Sequence, residues 1–144
     1  MNGERSNRQF VDTNILVYAH DISAAEKHTI AKTLVSEIWR SGNGCLSIQV
    51  LQEFYVTVTQ KVRKLLSPEN ASRIIADLSF WHVHAPDATD VLRAIEIQQR
   101  YKISFWDAMI IQSAKVFGDA IIWSEDLNPG QAYERVKVVN PFSS

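Results

Sequence analysis

Four carboxylates, Asp12, Glu53, Asp107 and Asp126, stand in or beside stretches that otherwise have the apolar character of a protein core. Asp12 follows Gln9-Phe-Val11, Glu53 follows Val50-Leu-Gln52, Asp107 follows Ile103-Ser-Phe-Trp106, and Asp126 follows Ala120-Ile-Ile-Trp-Ser-Glu125. An ionised carboxylate is costly to take out of water, so an acid at the end of an apolar element needs compensation, and a bound cation is one source of it. Two carboxylates about 4 Å apart repel by roughly 4 kcal/mol at an effective dielectric of about 20. Four together require protons or a divalent cation. Oxygen-only donors select hard ions, so Mg²⁺ or Mn²⁺ is the expected cofactor. Such an ion can activate water for in-line attack on a phosphodiester and neutralise charge on the leaving oxygen.

Each acid also has an ordinary alternative. Asp12 could form a turn after a strand, and Glu53 could occupy an exposed position on an amphipathic helix. Asp107 could act only as a capping-box acid, worth roughly 1 kcal/mol to its helix. Asp126, just before Asn128-Pro-Gly130, could be a loop acid. Thr13, Asn14 and Ser124 adjoin the acids; they could orient carboxylates, or cap the turns that follow.

The elements that must position these residues follow from periodicity and capping. Residues 9–12 form a short strand ending at Asp12, and Thr13-Asn14 turns into a first helical segment. Ser23 is the expected N-cap of a helix through Trp39, whose stripe is Ile30, Leu34, Val35 and Ile38. Gly42 and Gly44 end it. Residues 45–47 form a second strand, and a long helix runs from Ile48 to about Leu66 with Leu51, Phe54, Tyr55, Val58 and Val62 inward. Ser67 and Pro68 start a helix to about Phe80. Residues 81–85 form a strand, Asp87 caps a helix through Tyr101, and Ser104 caps one running to Phe117, with Asp107 in the box position. Residues 120–123 and 136–139 supply further strands. Short apolar strands alternating with helices predict a parallel sheet covered on both faces. Ligands of such sheets bind beyond the carboxyl ends of the strands. Asp12 and Asp126 follow strand ends, and Glu53 and Asp107 lie near helix starts, so the four are expected to converge on one edge.

Placed in this order, the segments resemble a PIN-domain ribonuclease, and most closely the VapC-type toxins of toxin–antitoxin pairs. The pieces that carry the resemblance are Phe10-Val-Asp-Thr-Asn-Ile-Leu-Val-Tyr-Ala19, Ser47-Ile-Gln-Val-Leu-Gln-Glu-Phe-Tyr55, Ser104-Phe-Trp-Asp-Ala-Met-Ile110 and Trp123-Ser-Glu-Asp-Leu-Asn128, with Val138-Val-Asn-Pro-Phe142 closing the domain. The resemblance implies a three-layer α/β/α sandwich over residues 9–142, with a short-stranded, mainly parallel sheet. It implies a Mg²⁺- or Mn²⁺-dependent endoribonuclease whose acidic cluster is Asp12, Glu53, Asp107 and Asp126, with Glu125 a neighbour of the most variable position. It further implies a cognate antitoxin and a homodimer.

Bulk properties narrow the classes. A chain of 144 residues suits one domain. Its net charge of -1 supplies no global basic field for nucleic acid, so RNA contacts must be local. A single cysteine, Cys45, excludes an intramolecular disulfide, fits a reducing compartment, and in its apolar setting is expected to be buried. Residues 1–8 are polar, have no signal-peptide core, and are expected to form a flexible extension. No apolar run reaches the roughly 20 residues of a membrane span, so the expectation is a soluble cytoplasmic protein.

Other features are weaker. Lys61-Val-Arg-Lys64 could hold RNA phosphates, although a solvated helix end explains it as well. Arg100-Tyr-Lys102 carries the same two readings. Trp106 could stack a base, but core packing at a helix start is the expectation. His82 and His84 share a strand face, yet no spacing completes a zinc site. No glycine-rich phosphate loop or Ser/His/Asp arrangement is apparent. The competing functions are a catalytically silent PIN-like module binding RNA or protein, an RNA-processing nuclease outside a toxin–antitoxin pair, and a phosphatase of small phosphoesters.

Overall fold

Strand β1 (Gln9–Val11) pairs in parallel with β2 (Gly44–Ser47) on one side and β4 (Ile121–Trp123) on the other in a computed structural model that describes residues 8–143. Phe10, Val11, Cys45, Leu46 and Ile122 are buried, as expected of central strands covered on both faces. With β3 (His82–His84), β5 (Ala132–Tyr133) and β6 (Val136–Val139) the sheet has the order β3-β2-β1-β4-β6-β5. Every pairing is parallel except the β5–β6 hairpin. The expected extension over residues 1–8 lies outside the described residues apart from Arg8, whose carbonyl accepts the Ile121 N–H at 2.9 Å.

Six helices connect the strands: α1 (Thr13–His20), α2 (Glu26–Ser41), α3 (Ile48–Gln60), α4 (Pro68–Leu78), α5 (Ala88–Tyr101) and α6 (Phe105–Lys115). Helix α1 packs on α2 and α3, and α3 on α4; α5 and α6 pair with each other, and α6 lies on β2, β4 and β6. Right-handed crossovers put α1–α4 on one face and α5–α6 on the other, giving the expected α/β/α layering. The chain steps from β1 to β2 to β3, then returns past β1 to β4. The reversal leaves a crevice at the carboxyl ends of β1 and β4, where open α/β sheets bind ligands.

Four expectations are corrected. Ser23 does not cap α2: its N–H and hydroxyl both donate to Asp21, at 3.0 and 2.5 Å, within a 3-10 turn. Helix α2 instead starts after Ala25, which sits at φ 56° with no side-chain cap. Helix α3 stops at Gln60 rather than near Leu66. The chain folds back there, so that Leu66 N–H bonds Val58 carbonyl at 2.9 Å while Val62 and Leu66 still pack on the core. The apolar spacing of Val58, Val62 and Leu66 therefore suits the turn as well as a helix. Strand β5 was not expected, because two residues carry no periodicity; Glu134 at φ 59° lies in the turn to β6. Lastly, Trp106 does not pack in the core. It is 62% exposed, and Phe105 packs on the core in its stead.

Gly44 begins β2 under the ring of Trp81, where an added Cβ would come within 2.4 Å of the ring. The close approach brings β2 and the 80–82 turn together. Cys45 is buried as expected, and burial pushes its thiol up to about 11, so it is not a thiolate at neutral pH. No helix among the described residues is long and apolar enough to cross a membrane.

Candidate active site

Asp12 is the residue at which β1 becomes α1. Its extended backbone makes it the N-cap, and its Oδ1 accepts the Thr13 N–H at 2.7 Å. Its Oδ2 accepts the Ser124 hydroxyl at 2.9 Å, and its own N–H donates to Trp123 carbonyl, which ties the ends of β1 and β4 together. Ser124 Oγ also accepts the N–H groups of Asp126 and Leu127, so it both caps the loop and steadies Asp12. Asp12 is only 7% exposed, and no cationic side chain among the described residues pairs with it. Burial raises its pKa from 3.8 to about 6; the bonds from Thr13 and Ser124 oppose the rise, and the charges of Asp126 and Asp107 add to it.

Asp107 enters from the first turn of α6. Ser104 caps that helix, accepting the Asp107 N–H at 3.0 Å, but the Asp107 carboxylate does not return the bond. The pair Asp87 and Asp90 on α5 shows the complete reciprocal box, with both bonds formed. Asp107 is thus half of a capping box, with its carboxylate free of hydrogen bonds among the described residues. Asp126 follows β4 and accepts from Asn14 Nδ2 at 2.8 Å. Burial, then the charges of Asp107 and Glu125, raise its pKa, with Lys27 opposing.

Glu53 and Glu125 are held differently. Glu53, one and a half turns into α3, accepts the Thr13 hydroxyl at 2.7 Å and Gln49 Nε2 at 3.2 Å. Glu125 turns away: it accepts the Tyr18 hydroxyl at 2.8 Å and pairs closely with Lys27. Lys27 in turn lies over the Tyr18 and Phe142 rings, 5.1 and 5.3 Å from their centroids. Nothing in the sequence pointed to Lys27, because its partner lies 98 residues away.

The cleft at the β1–β4 crevice has a volume of about 280 Å³, and Asp12, Glu53, Asp107 and Asp126 all line it. Thr13, Asn14, Gln49, Thr57, Lys61 and Trp106 complete the polar wall; Glu125 is not part of it. Gln49 was not singled out from sequence, yet it bonds Glu53, and its buried Oε1 has no partner. As the side chains stand, no three acid, histidine or cysteine groups among the described residues sit close enough to share one ion. The donor chemistry nonetheless fits a hard divalent cation: Asp126 and Asp107 add to the charge cost of Asp12, Asp107 adds to that of Asp126, none of the three forms an ion pair among the described residues, and all present only oxygen. Asp12, Asp107 and Asp126 would be its ligands, with Glu53 joined to them through Thr13. The first turns of α1, α3 and α6 all contribute residues to the cleft, and the partial positive charge of helix N-termini offsets part of the repulsion.

A second polar cluster was missed from sequence. His84 Nδ1 lies 2.9 Å from Ser113 Oγ, its Nε2 lies 3.2 Å from Asp90, and Gln112 donates to Asp90 at 2.9 Å. This is a Ser/His/Asp chain in contact order, contrary to the sequence reading. Ser113 is wholly buried, so no substrate carbonyl can reach it. The cluster fastens β3 to α5 and α6.

The family described as PIN domain matches residues 10–135. No curated protein matches the chain. Among solved structures, a toxin–antitoxin complex from Klebsiella pneumoniae is 21% identical, with a TM-score of 0.67 over 94% of this chain and 99% of that one. The Mycobacterium tuberculosis toxin VapC20, described as cleaving the sarcin–ricin loop, is 20% identical, with a TM-score of 0.62 over 82% and 89%. DNA-bound VapBC from Salmonella typhimurium is 16% identical, with a TM-score of 0.63 over 92% and 96%. At these identities the likeness establishes a shared fold.

Proposed function

This chain belongs to the PIN-domain family, and from that premise we propose that it is a Mg²⁺- or Mn²⁺-dependent endoribonuclease, acting as the toxin of a toxin–antitoxin pair. One observation carries the reading: Asp12, Asp107 and Asp126 face a single cleft with no ion-pair partner among the described residues, while the neighbouring Glu125 is paired with Lys27. A fold that needed these acids only for stability would pair them as it pairs Glu125.

Bound among these acids, the divalent ion would supply activation of water and neutralisation of phosphoryl charge. The chain's own residues do the rest. Ser124 and Thr13 N–H hold the Asp12 carboxylate from both oxygens, so that it keeps one orientation. Thr13 couples Glu53 to Asp12, and Gln49 steadies Glu53 from the preceding turn. Asn14 orients Asp126 in the same way. Lys27 holds Glu125 out of the cleft, which supports Asp126 over Glu125 as the fourth acid.

The solved relatives with toxin–antitoxin descriptions support a cognate antitoxin as partner. The apolar strip of Ile48, Leu51, Tyr55, Val56 and Ile75 beside the cleft supports a protein contact there, by the antitoxin or by a second copy in a homodimer. A silent PIN-like module draws its support from the side-chain spread, since no three donors yet converge on one point. Incubating purified protein with RNA separates the two. Cleavage should require Mg²⁺ or Mn²⁺ and vanish in Asp12→Asn. RNA left intact by the wild type with either ion would sink the enzyme reading.

A further inference from the structure

Trp106 projects where a core residue was expected. It is 62% exposed, although a tryptophan ring ordinarily buries most of its large apolar surface. It directly precedes Asp107, so the two Cα atoms are about 3.8 Å apart, and both residues line the acidic cleft. Its ring meets Phe105 edge-on, with centroids 5.1 Å apart and planes at 73°, and Phe105 is itself packed on the core. Gln49 Nε2 reaches the Trp106 carbonyl at 3.4 Å, linking the start of α6 to the start of α3. The ring is therefore mounted on fixed backbone at the mouth of the site.

Helix α3 forms the facing wall. Gln49, Glu53, Thr57 and Lys61 recur every four residues, so they share one side of the helix, and all four line the cleft. Lys61 caps the end of α3, about 12 Å along the axis from Glu53. It is exposed and has no carboxylate partner among the described residues. A free cation at the far end of a polar track suits a second phosphate of a strand whose first phosphate lies among the acids.

We propose that Trp106 is a stacking platform for the nucleobase next to the scissile phosphate and that Lys61 holds a phosphate further along the strand. The proposal rests on the endoribonuclease reading and adds to it two residues that position the substrate. Every base has a π-face, so stacking is tolerant of sequence. In a duplex that face is covered by neighbouring base pairs, which leaves nothing for the ring to engage. Trp106 and Lys61 are accordingly positioning residues, and their loss should weaken binding more than turnover.

The test uses the full chain and a short single-stranded RNA, alongside the same RNA annealed to its complement. Binding is followed by anisotropy of labelled RNA in an Asp12→Asn background, and cleavage in the Asp12 protein with Mg²⁺ or Mn²⁺. Trp106→Ala should weaken single-strand binding roughly 5- to 100-fold, raise KM in step and leave kcat nearly unchanged. Trp106→Phe should retain most of the affinity, which guards against a folding defect. Lys61→Met should lower the salt dependence of log K by about 0.7. Equal use of single- and double-stranded RNA would overturn the proposal, as would Trp106→Ala binding like its parent. A Trp106→Ala variant that binds RNA normally but changes oligomeric state would assign the ring to a protein contact and overturn it too. RNA bound through Trp106 but never cut would uphold the stacking and fail the nuclease reading. RNA cut equally well without Trp106 would do the reverse.

Discussion

Helix α6 joins two acidic regions of opposite character. At its N-terminal end Asp107 faces Asp12 and Asp126, and none of the three forms an ion pair among the described residues. At its C-terminal end Lys115 reaches Glu134 at 3.3 Å, where Arg100 at 2.6 Å and the Tyr101 hydroxyl at 3.0 Å also converge. Burial alone would raise the pKa of Glu134, but the bonds from Tyr101, Lys115 and Arg100 outweigh it and leave it below the ordinary value. At Asp12 burial prevails and the pKa rises to about 6. The same side-chain chemistry stabilises the fold at one end of the helix and strains it at the other. The strain falls at the crevice where a ligand can relieve it.

Substitutions that strike one region and spare the other test this contrast. The largest expected effect is on turnover: Asp107→Asn should lower RNA cleavage on the order of 10²- to 10³-fold with no loss of thermal stability. A melt that falls with the activity would show Asp107 to be a structural cap. Next comes Asp12→Asn, which keeps an N-cap and removes a strained charge. Because the folded pKa lies above the unfolded one, ionisation of Asp12 costs stability as pH rises from about 4 through about 6, and the cost is complete above that. The variant should therefore gain up to about 3 kcal/mol near pH 8 and nothing below pH of about 4. Denaturant unfolding at both pH values reads the gain, and a pH-independent difference would refute it.

Glu134→Gln should act with the opposite sign, destabilising by about 1–3 kcal/mol at neutral pH. Since Glu134 is held low, its contribution is present above the unfolded value near 4.5 and fades as pH falls through the lower folded value. Equal unfolding midpoints for Glu134→Gln and the parent at neutral pH would break the comparison from its paired side. The smallest effect belongs to the half-exposed Lys27–Glu125 pair. A double-mutant cycle of Lys27→Met and Glu125→Gln should give a coupling below about 1 kcal/mol, with cleavage within a few-fold of wild type. A loss as large as that of Asp107→Asn would return Glu125 to the active cluster.

What could be read in advance was whatever depends on neighbours along the chain. Asp12 at a strand end, Ser67, Asp87 and Ser104 as N-caps, and the buried parallel strands all follow from local pattern and stand in the structure. What escaped depends on distant partners. Ser23 has the right chemistry for a cap, but Asp21 took both of its donors. Trp106 has the composition of a core residue, and only the packing of Phe105 shows which of the two aromatics goes inside. Gln49, Lys27 and the His84–Ser113–Asp90 chain carry no local signal, because their roles exist only once α3, α6 and the loop after β4 meet.

The position of β1 in the middle of the sheet has a consequence for the order in which the protein is made. Strand β1 emerges before its partners, because Ser124 and Asp126, which orient Asp12 and bond Asn14, lie 112 residues further on. At roughly 5–20 residues per second, Asp12 waits on the order of ten seconds for its partners. Until the segment after β4 has emerged, the cleft lacks one wall and the acidic cluster lacks Asp126.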